Sequence, residues 1–246
     1  MMAKTAQLLS DVEQAYDSFK FNGVYRAVYD FVNDLSSVYM DVTKDRLYSE
    51  SPDSPRRRAV QTVLFNILEV LVRVLSPILS FTADEVWECY PEAMRNREGR
   101  VCNVQLAGWP HRSDFVPALP GKAAEDKVLA AFGGALEVRD VVTKALEDAR
   151  GAKVINKSQE ATVSVTAPQA TLDALSAFDA SVFEELFIVS GVTFAAGDEL
   201  ACDVKPAEGD KCPRCWNYRE LGGNANHADV CQRCGDALDA IGFTEE

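Results

Sequence analysis

The chain has 246 residues, 26% of them charged, and a formal net charge of -13 at pH 7. That acidity excludes a general nucleic-acid or membrane surface, so any RNA contact has to come from local basic clusters. The length suits one large domain or two to three small ones. No apolar run spans a bilayer: Val60 to Leu79 comes nearest, but it carries Gln61, Asn66, Glu69 and Arg73 and reads as a buried bundle helix. Nothing at the start resembles a signal peptide. Cys89, Cys102 and Cys202 lie scattered and read as single buried or partly exposed thiols, and the chain reads as cytoplasmic.

Lys4 to Phe19 repeats apolar residues at helical spacing (Leu8, Val12, Ala15, Tyr16, Phe19), and after Asn22-Gly23 a second amphipathic face runs from Val24 to Val42. Pro52 and Pro55 suit a helix start, and the third helix runs to about Ser76 with apolar residues almost all round, which predicts a central position. Thr82-Ala83-Asp84-Glu85 has the pattern of a capping box opening a fourth helix. Four helices with short links predict an antiparallel bundle. Pro91 to Gly121 loses periodicity and reads as a linker, with Pro110, Pro117 and Pro120. Ala123 to Ala149 predicts a long helix that Gly133-Gly134 could split. Ala161 to Ala167 alternates as a strand, Pro168 to Phe178 reads as a short helix, and Phe187 to Val192 and Leu200 to Val204 read as further strands. The fold class expected is mainly α: a helix bundle, then a small α+β unit, then a C-terminal zinc knuckle. The domains expected are residues 1–118, 119–205 and 206–246.

The knuckle rests on spacing. Cys212 and Cys215 form one C-x-x-C pair, Cys231 and Cys234 a second, fifteen residues on, as in four-thiolate zinc sites. Four thiolates close a tetrahedron, so a single Zn2+ would be structural. Two disulfides are the alternative, and a reducing compartment disfavours them. Asn217 to Val230 has too little apolar content for a core of its own, so the metal is expected to fold it. Arg214 and Trp216 flank Cys215, Arg219 follows, and Arg233 lies inside the second pair. An exposed aromatic beside arginine suits a splayed-out base, while Trp216 as a lid on the zinc site is the other reading.

Lys44 and Arg46 lie at the end of the predicted second helix, and Arg56, Arg57 and Arg58 open the third. The short link predicts that the two clusters meet, either as a phosphate clamp at a helix N-terminus or as partners of Asp41, Asp45, Glu50 or Asp53. His111 and His227 sit in no acid–base motif, and no Gly-rich phosphate loop occurs.

Three stretches resemble the anticodon-binding helical domain of bacterial isoleucyl-tRNA synthetases: Leu35 to Tyr48, Arg57 to Thr62, and Ser76 to Trp87. Val138 to Glu147 and Cys212-Pro213-Arg214-Cys215-Trp216 resemble the C-terminal region and zinc-binding end of the same family. Asn156 to Ala161 departs from the family's Gly-x-Ser-Leu-Glu-Ala turn, so a different loop shape is expected there. The two class I signatures, H-x-G-H and K-M-S-K-S, are absent. The resemblance implies a C-terminal piece that holds the anticodon stem and loop of tRNA-Ile, inactive by itself. Isoleucine activation with ATP would occur in an absent catalytic body, its partner in a monomeric enzyme. Arg214 and Trp216 are then candidates for base contacts, Lys44, Arg46, Arg56, Arg57 and Arg58 for phosphate and loop contacts, and Arg219 and Arg233 join them as tRNA-binding candidates. A similar knuckle occurs in formamidopyrimidine-type DNA glycosylases, but Met1-Met2-Ala3-Lys4 lacks their N-terminal Pro-Glu pair. A zinc-stabilised protein-interaction module would leave the two basic clusters unexplained.

Overall fold

A computed structural model describes residues 1–95, 99–115 and 122–243. The helices in order are α1 (Met2–Asp17), α2 (Phe21–Asp34), a π-helical stretch (Leu35–Met40), α3 (Lys44–Ser49), α4 (Pro55–Leu75), α5 (Ser80–Glu88), α6 (Glu92–Arg95) and α7 (Arg112–Phe115). Then come α8 (Lys122–Gly151), β1 (Ala161–Ala167), α9 (Gln169–Leu175), α10 (Ala180–Phe187), β2 (Gly191–Ala196), β3 (Ala201–Pro206), β4 (Asp210–Lys211), β5 (Tyr218–Arg219) and α11 (Gln232–Asp239). The backbone divides into two compact units, Met1–Tyr39 with Ala59–Gly121, and Met40–Arg58 with Lys122–Glu246.

The first unit is helical. Leu8, Val12, Val24, Phe31, Ile67, Val70 and Val74 are buried together, one stripe from each of α1, α2 and α4. At Gly23 an added Cβ would lie 3.2 Å from the Ala15 Cβ, so α1 and α2 approach closely there. Lys4 near the start of α1 pairs with Asp34 at the end of α2, and the Tyr16 hydroxyl donates to the Val74 carbonyl oxygen at 2.8 Å. Successive helices thus alternate in direction. The predicted second helix does not run unbroken to Val42: α2 passes into the π-helical stretch, where the Ser37 hydroxyl bonds back to the Asn33 carbonyl. Such back-bonding competes with the helical ladder. Lys44 and Arg46 consequently sit on a separate short helix, α3.

The capping box does not form. Helix α5 begins two residues early at Ser80, without a side-chain cap, and Asp84 instead accepts from the Val104 N–H at 3.2 Å. The following segment is packed rather than loose, because Val104 and Tyr90 bury against Trp87, whose indole N–H donates to the Val101 carbonyl. Arg100 lies over both the Trp87 and Tyr90 rings and pairs with buried Glu69. Pro117, Pro120 and Gly121, part of the predicted linker, lie outside the described residues.

In the second unit α8 is one continuous 30-residue helix. Gly133 and Gly134 have open space around them and do not split it. Strand β1 is central in the order β2-β1-β3, parallel to β2 and antiparallel to β3. The parallel pair requires a crossover, which α9 and α10 supply. Ala161, Val163, Val165 and Ala167 all point into the core from β1, and the first three pack with Val138, Val142 and Leu146 of α8 and Phe183 and Phe187 of α10. The strand predicted over Phe187 to Val192 is a misreading. Phe183, Leu186 and Phe187 keep the i, i+3, i+4 pattern of α10, Asp179 caps that helix by accepting from Ser181, and β2 starts only at Gly191.

Candidate nucleic-acid interface

The C-terminal elements are built around sulfur. Cys212, Cys215, Cys231 and Cys234 are buried, and their Sγ atoms all lie within 4.8 Å of one another. Cys215 Sγ and Cys231 Sγ are 3.8 Å apart. A tetrahedral zinc with bonds of about 2.3 Å requires sulfurs separated by about 3.8 Å, so the donor set fits one closed, structural Zn2+. Hydrogen bonds from Cys215 and Cys234 lower the Cys231 pKa, while those from Cys215 and Cys231 raise that of Cys234. A zinc held by these residues would be bound by four thiolates. The Cys231 N–H points at Cys212 Sγ, 3.5 Å away, and supports that charge.

Strands β4 and β5 form the hairpin that carries the first pair, with Asp210 opposite Arg219 and Lys211 opposite Tyr218. Between them the Trp216 N–H donates to the Cys212 carbonyl at 2.9 Å and the Cys212 N–H to the Asn217 carbonyl at 3.0 Å. The loop between the pairs is held by polar bonds, chiefly from Asn224 to Asp236 and Asp239.

That turn leaves Trp216 in the left-handed region, with φ of 66°, and its ring 54% exposed. An L side chain there costs on the order of 1–2 kcal/mol, and glycine would relieve it. A lid over zinc would be buried and relaxed. Trp216 is neither, which favours the reading as a stacking surface. Lys157 Nζ and Lys211 Nζ lie over the ring, 5.7 and 5.9 Å from its centre.

Beside the knuckle, within the second unit, lies a cleft of about 1260 Å³. Lys44, Arg56, Arg214, Trp216, Arg219 and Arg233 all contribute to its wall. The two basic clusters do converge, and what they converge on is Glu185 of α10. Arg46 Nε donates to Glu185 Oε2 at 2.8 Å, while Arg56 donates to Oε1. Arg219 pairs with the neighbouring Glu184 at 2.7 Å, and Arg233 grips both carboxylate oxygens of Asp45. Burial works against the Arg233 charge, yet the Asp45 bond and charge outweigh it and raise its pKa. Arg214 donates to the Ser49 carbonyl, Arg57 to the Glu50 carbonyl at 3.3 Å, and exposed Lys44 to Asp41 at 2.8 Å. Arg46, Arg57 and Arg58 lie outside the cleft lining. The arginines thus order the wall by internal pairing.

Glu184, Glu185, Lys157 and Lys211 were not singled out by spacing, and no local pattern in the sequence marks them. A second left-handed residue, Ile188 with φ of 58°, caps α10 three residues after Glu185 and also lines the cleft. For a β-branched residue this is a true outlier. Strained residues gather where ligands are clamped, and two of them meet here.

Residues 1–165 match the family described as the anticodon-binding domain of tRNA ligases. The chain belongs to that family. Residues 209–236 match a zinc finger found in FPG and IleRS. The finger is shared by both groups and gives no support to the glycosylase alternative; the match over residues 1–165 separates the two. Curated relatives include the isoleucine–tRNA ligases of Geobacillus kaustophilus, 40% identical over 95% of this chain, Fervidobacterium nodosum, 36% over 96%, and Thermotoga maritima, 35% over 95%. The chain spans about a quarter of their length, 25–26% in each case. Among the described residues no helix is long and apolar enough to cross a membrane.

Proposed function

We propose that this anticodon-binding chain is the anticodon-recognition part of an isoleucine–tRNA ligase. It would hold the anticodon stem and loop of tRNA-Ile while isoleucine is activated with ATP and transferred on the remaining three-quarters of the enzyme, a monomer of the cytoplasm. A division into residues 1–118, 119–205 and 206–246 fits this role as bundle, junction and zinc finger. The observation that carries the reading is Trp216: an exposed indole, held in an unfavourable backbone conformation by a zinc knuckle, at the edge of a cleft lined by paired acidic and basic side chains. Anticodon bases are single-stranded and can be splayed onto an aromatic ring, and stacking of this kind contributes about 1–3 kcal/mol per base. Arg214, Arg219 and Arg233 would orient the knuckle against the wall; exposed Lys44 would offer charge to the loop backbone, and Arg46, Arg56, Arg57 and Arg58 would reach it on releasing their present partners.

Binding of the zinc-loaded chain to a tRNA-Ile transcript, and to the same transcript with its anticodon replaced, tests the proposal. Preference for the isoleucine anticodon, lost on chelation, is the expected result. Equal binding of both transcripts would remove base readout from this chain.

A further inference from the structure

The arginines of the cleft wall are engaged by Glu184, Glu185, Asp45 and main-chain carbonyls. A guanidinium committed to a partly buried carboxylate must give up that bond before it takes a phosphate, and a carboxylate left behind without a partner is costly. The wall therefore has little unspent positive charge. The two lysines at Trp216 differ. Lys157, in the loop before β1, and Lys211, on β4, are exposed, and among the described residues neither makes an ion pair. The acid beside Lys211 is Glu160. Its Oε2 accepts from the Asn156 N–H at 2.8 Å and the Asn156 side-chain amide at 3.3 Å. These bonds, with a smaller contribution from the Lys211 charge, hold its pKa below the usual carboxylate value, and it makes no ion pair with Lys211. The unusual Asn156-Lys157 loop thus turns its amide onto Glu160 and leaves its lysine over the indole.

We infer that Lys157 and Lys211 form a phosphate clamp around Trp216, gripping the backbone phosphates on either side of the base that stacks on its ring. This rests on the stacking role given to Trp216 above and names what flanks it. Both ammonium groups lie over the ring, 5.7 and 5.9 Å from its centre, where a cation–π contact holds them. A base that stacks on the indole brings its own sugar–phosphate links to the edge of the ring. Each lysine then exchanges a weak cation–π contact for a charge-assisted bond to phosphate, through a flexible four-carbon stem. The ligand class is a single-stranded ribonucleotide run of at least two phosphates, independent of base identity. The pair supplies grip, and the specificity lies elsewhere.

The test is the affinity of the zinc-loaded full chain for an anticodon stem–loop RNA across a salt series, for wild type, K157Q/K211Q and W216A. For single strands each neutralised phosphate contributes about 0.7 to the slope of log K against log salt. The double variant is expected to lose about 1.4 of that slope, with each single variant losing about 0.7. A double variant with the wild-type slope and affinity, alongside a W216A protein that binds weakly, overturns the clamp and leaves the stacking reading standing. A W216A protein that binds as wild type overturns the stacking reading and the clamp with it. Both lysines are exposed, so the variants are expected to fold.

Discussion

The helical unit and the zinc knuckle solve the same problem with different materials. In the first, Val12, Val24, Val70 and Val74 are fully buried and Ile67 is 2% exposed, so hydrocarbon removed from water holds three helices together. In the second, the buried cluster is four cysteines and Val230, and among the described residues Leu221 and Leu238 pack against it. So small an apolar core cannot offset the entropy of ordering the loop, and the metal carries the difference. The contrast shows where function can be placed. In the helical unit Trp87 is part of the packing at 3% exposure, whereas the metal-held knuckle keeps its shape with its tryptophan turned outward.

Removing the metal should separate the two regions most sharply. Chelation, or Cys234→Ser, is expected to abolish hydrogen-exchange protection over β4, β5 and α11 while α1, α2 and α4 stay protected, since structural zinc supplies on the order of 10–16 kcal/mol of apparent binding energy. Protection retained in the knuckle after zinc loss would end the comparison. Ile67→Ala should do the reverse, lowering the stability of the helical unit by about 2–5 kcal/mol in denaturant titration without changing zinc content. Glu185→Gln removes the charge shared by Arg46 and Arg56, at a site 10% exposed, and should lower the melting transition of the second unit by roughly 1–3 kcal/mol equivalent. An unchanged transition would mean that the arginines hold nothing in place. Phe81→Ser, at 94% exposure, should change stability by no more than about 0.5 kcal/mol.

Much of the architecture was legible because it is periodic. Helix α4 repeats apolar residues all round and is central, β1 alternates and is half-buried, and the cysteine spacing alone brought four sulfurs to one point. Helix α10 was missed where the short apolar run Phe187-Ile188-Val189 follows it, since such a run carries no period of its own. The meeting of the Lys44–Arg46 and Arg56 regions followed from their short connection. Its agent did not: Glu185 lies 129 residues beyond Arg56, and Asp45 lies 188 before Arg233, so both pairings depend on the finished fold. The left-handed turn at Trp216 and the convergence of Lys157 and Lys211 on its ring are equally products of tertiary structure. Residue type marks the aromatic, while its outward direction is set by the folded turn.

The central claim is that a base stacks on Trp216, and tryptophan fluorescence addresses it directly. Trp87 is buried and Trp109 partly so, which leaves Trp216 as the exposed indole of the three. On adding the anticodon stem–loop RNA, the emission of the zinc-loaded wild-type chain should be quenched in a saturable way, and a W216F chain that still binds should show no quenching. Binding without any quenching of the wild-type protein would contradict the account.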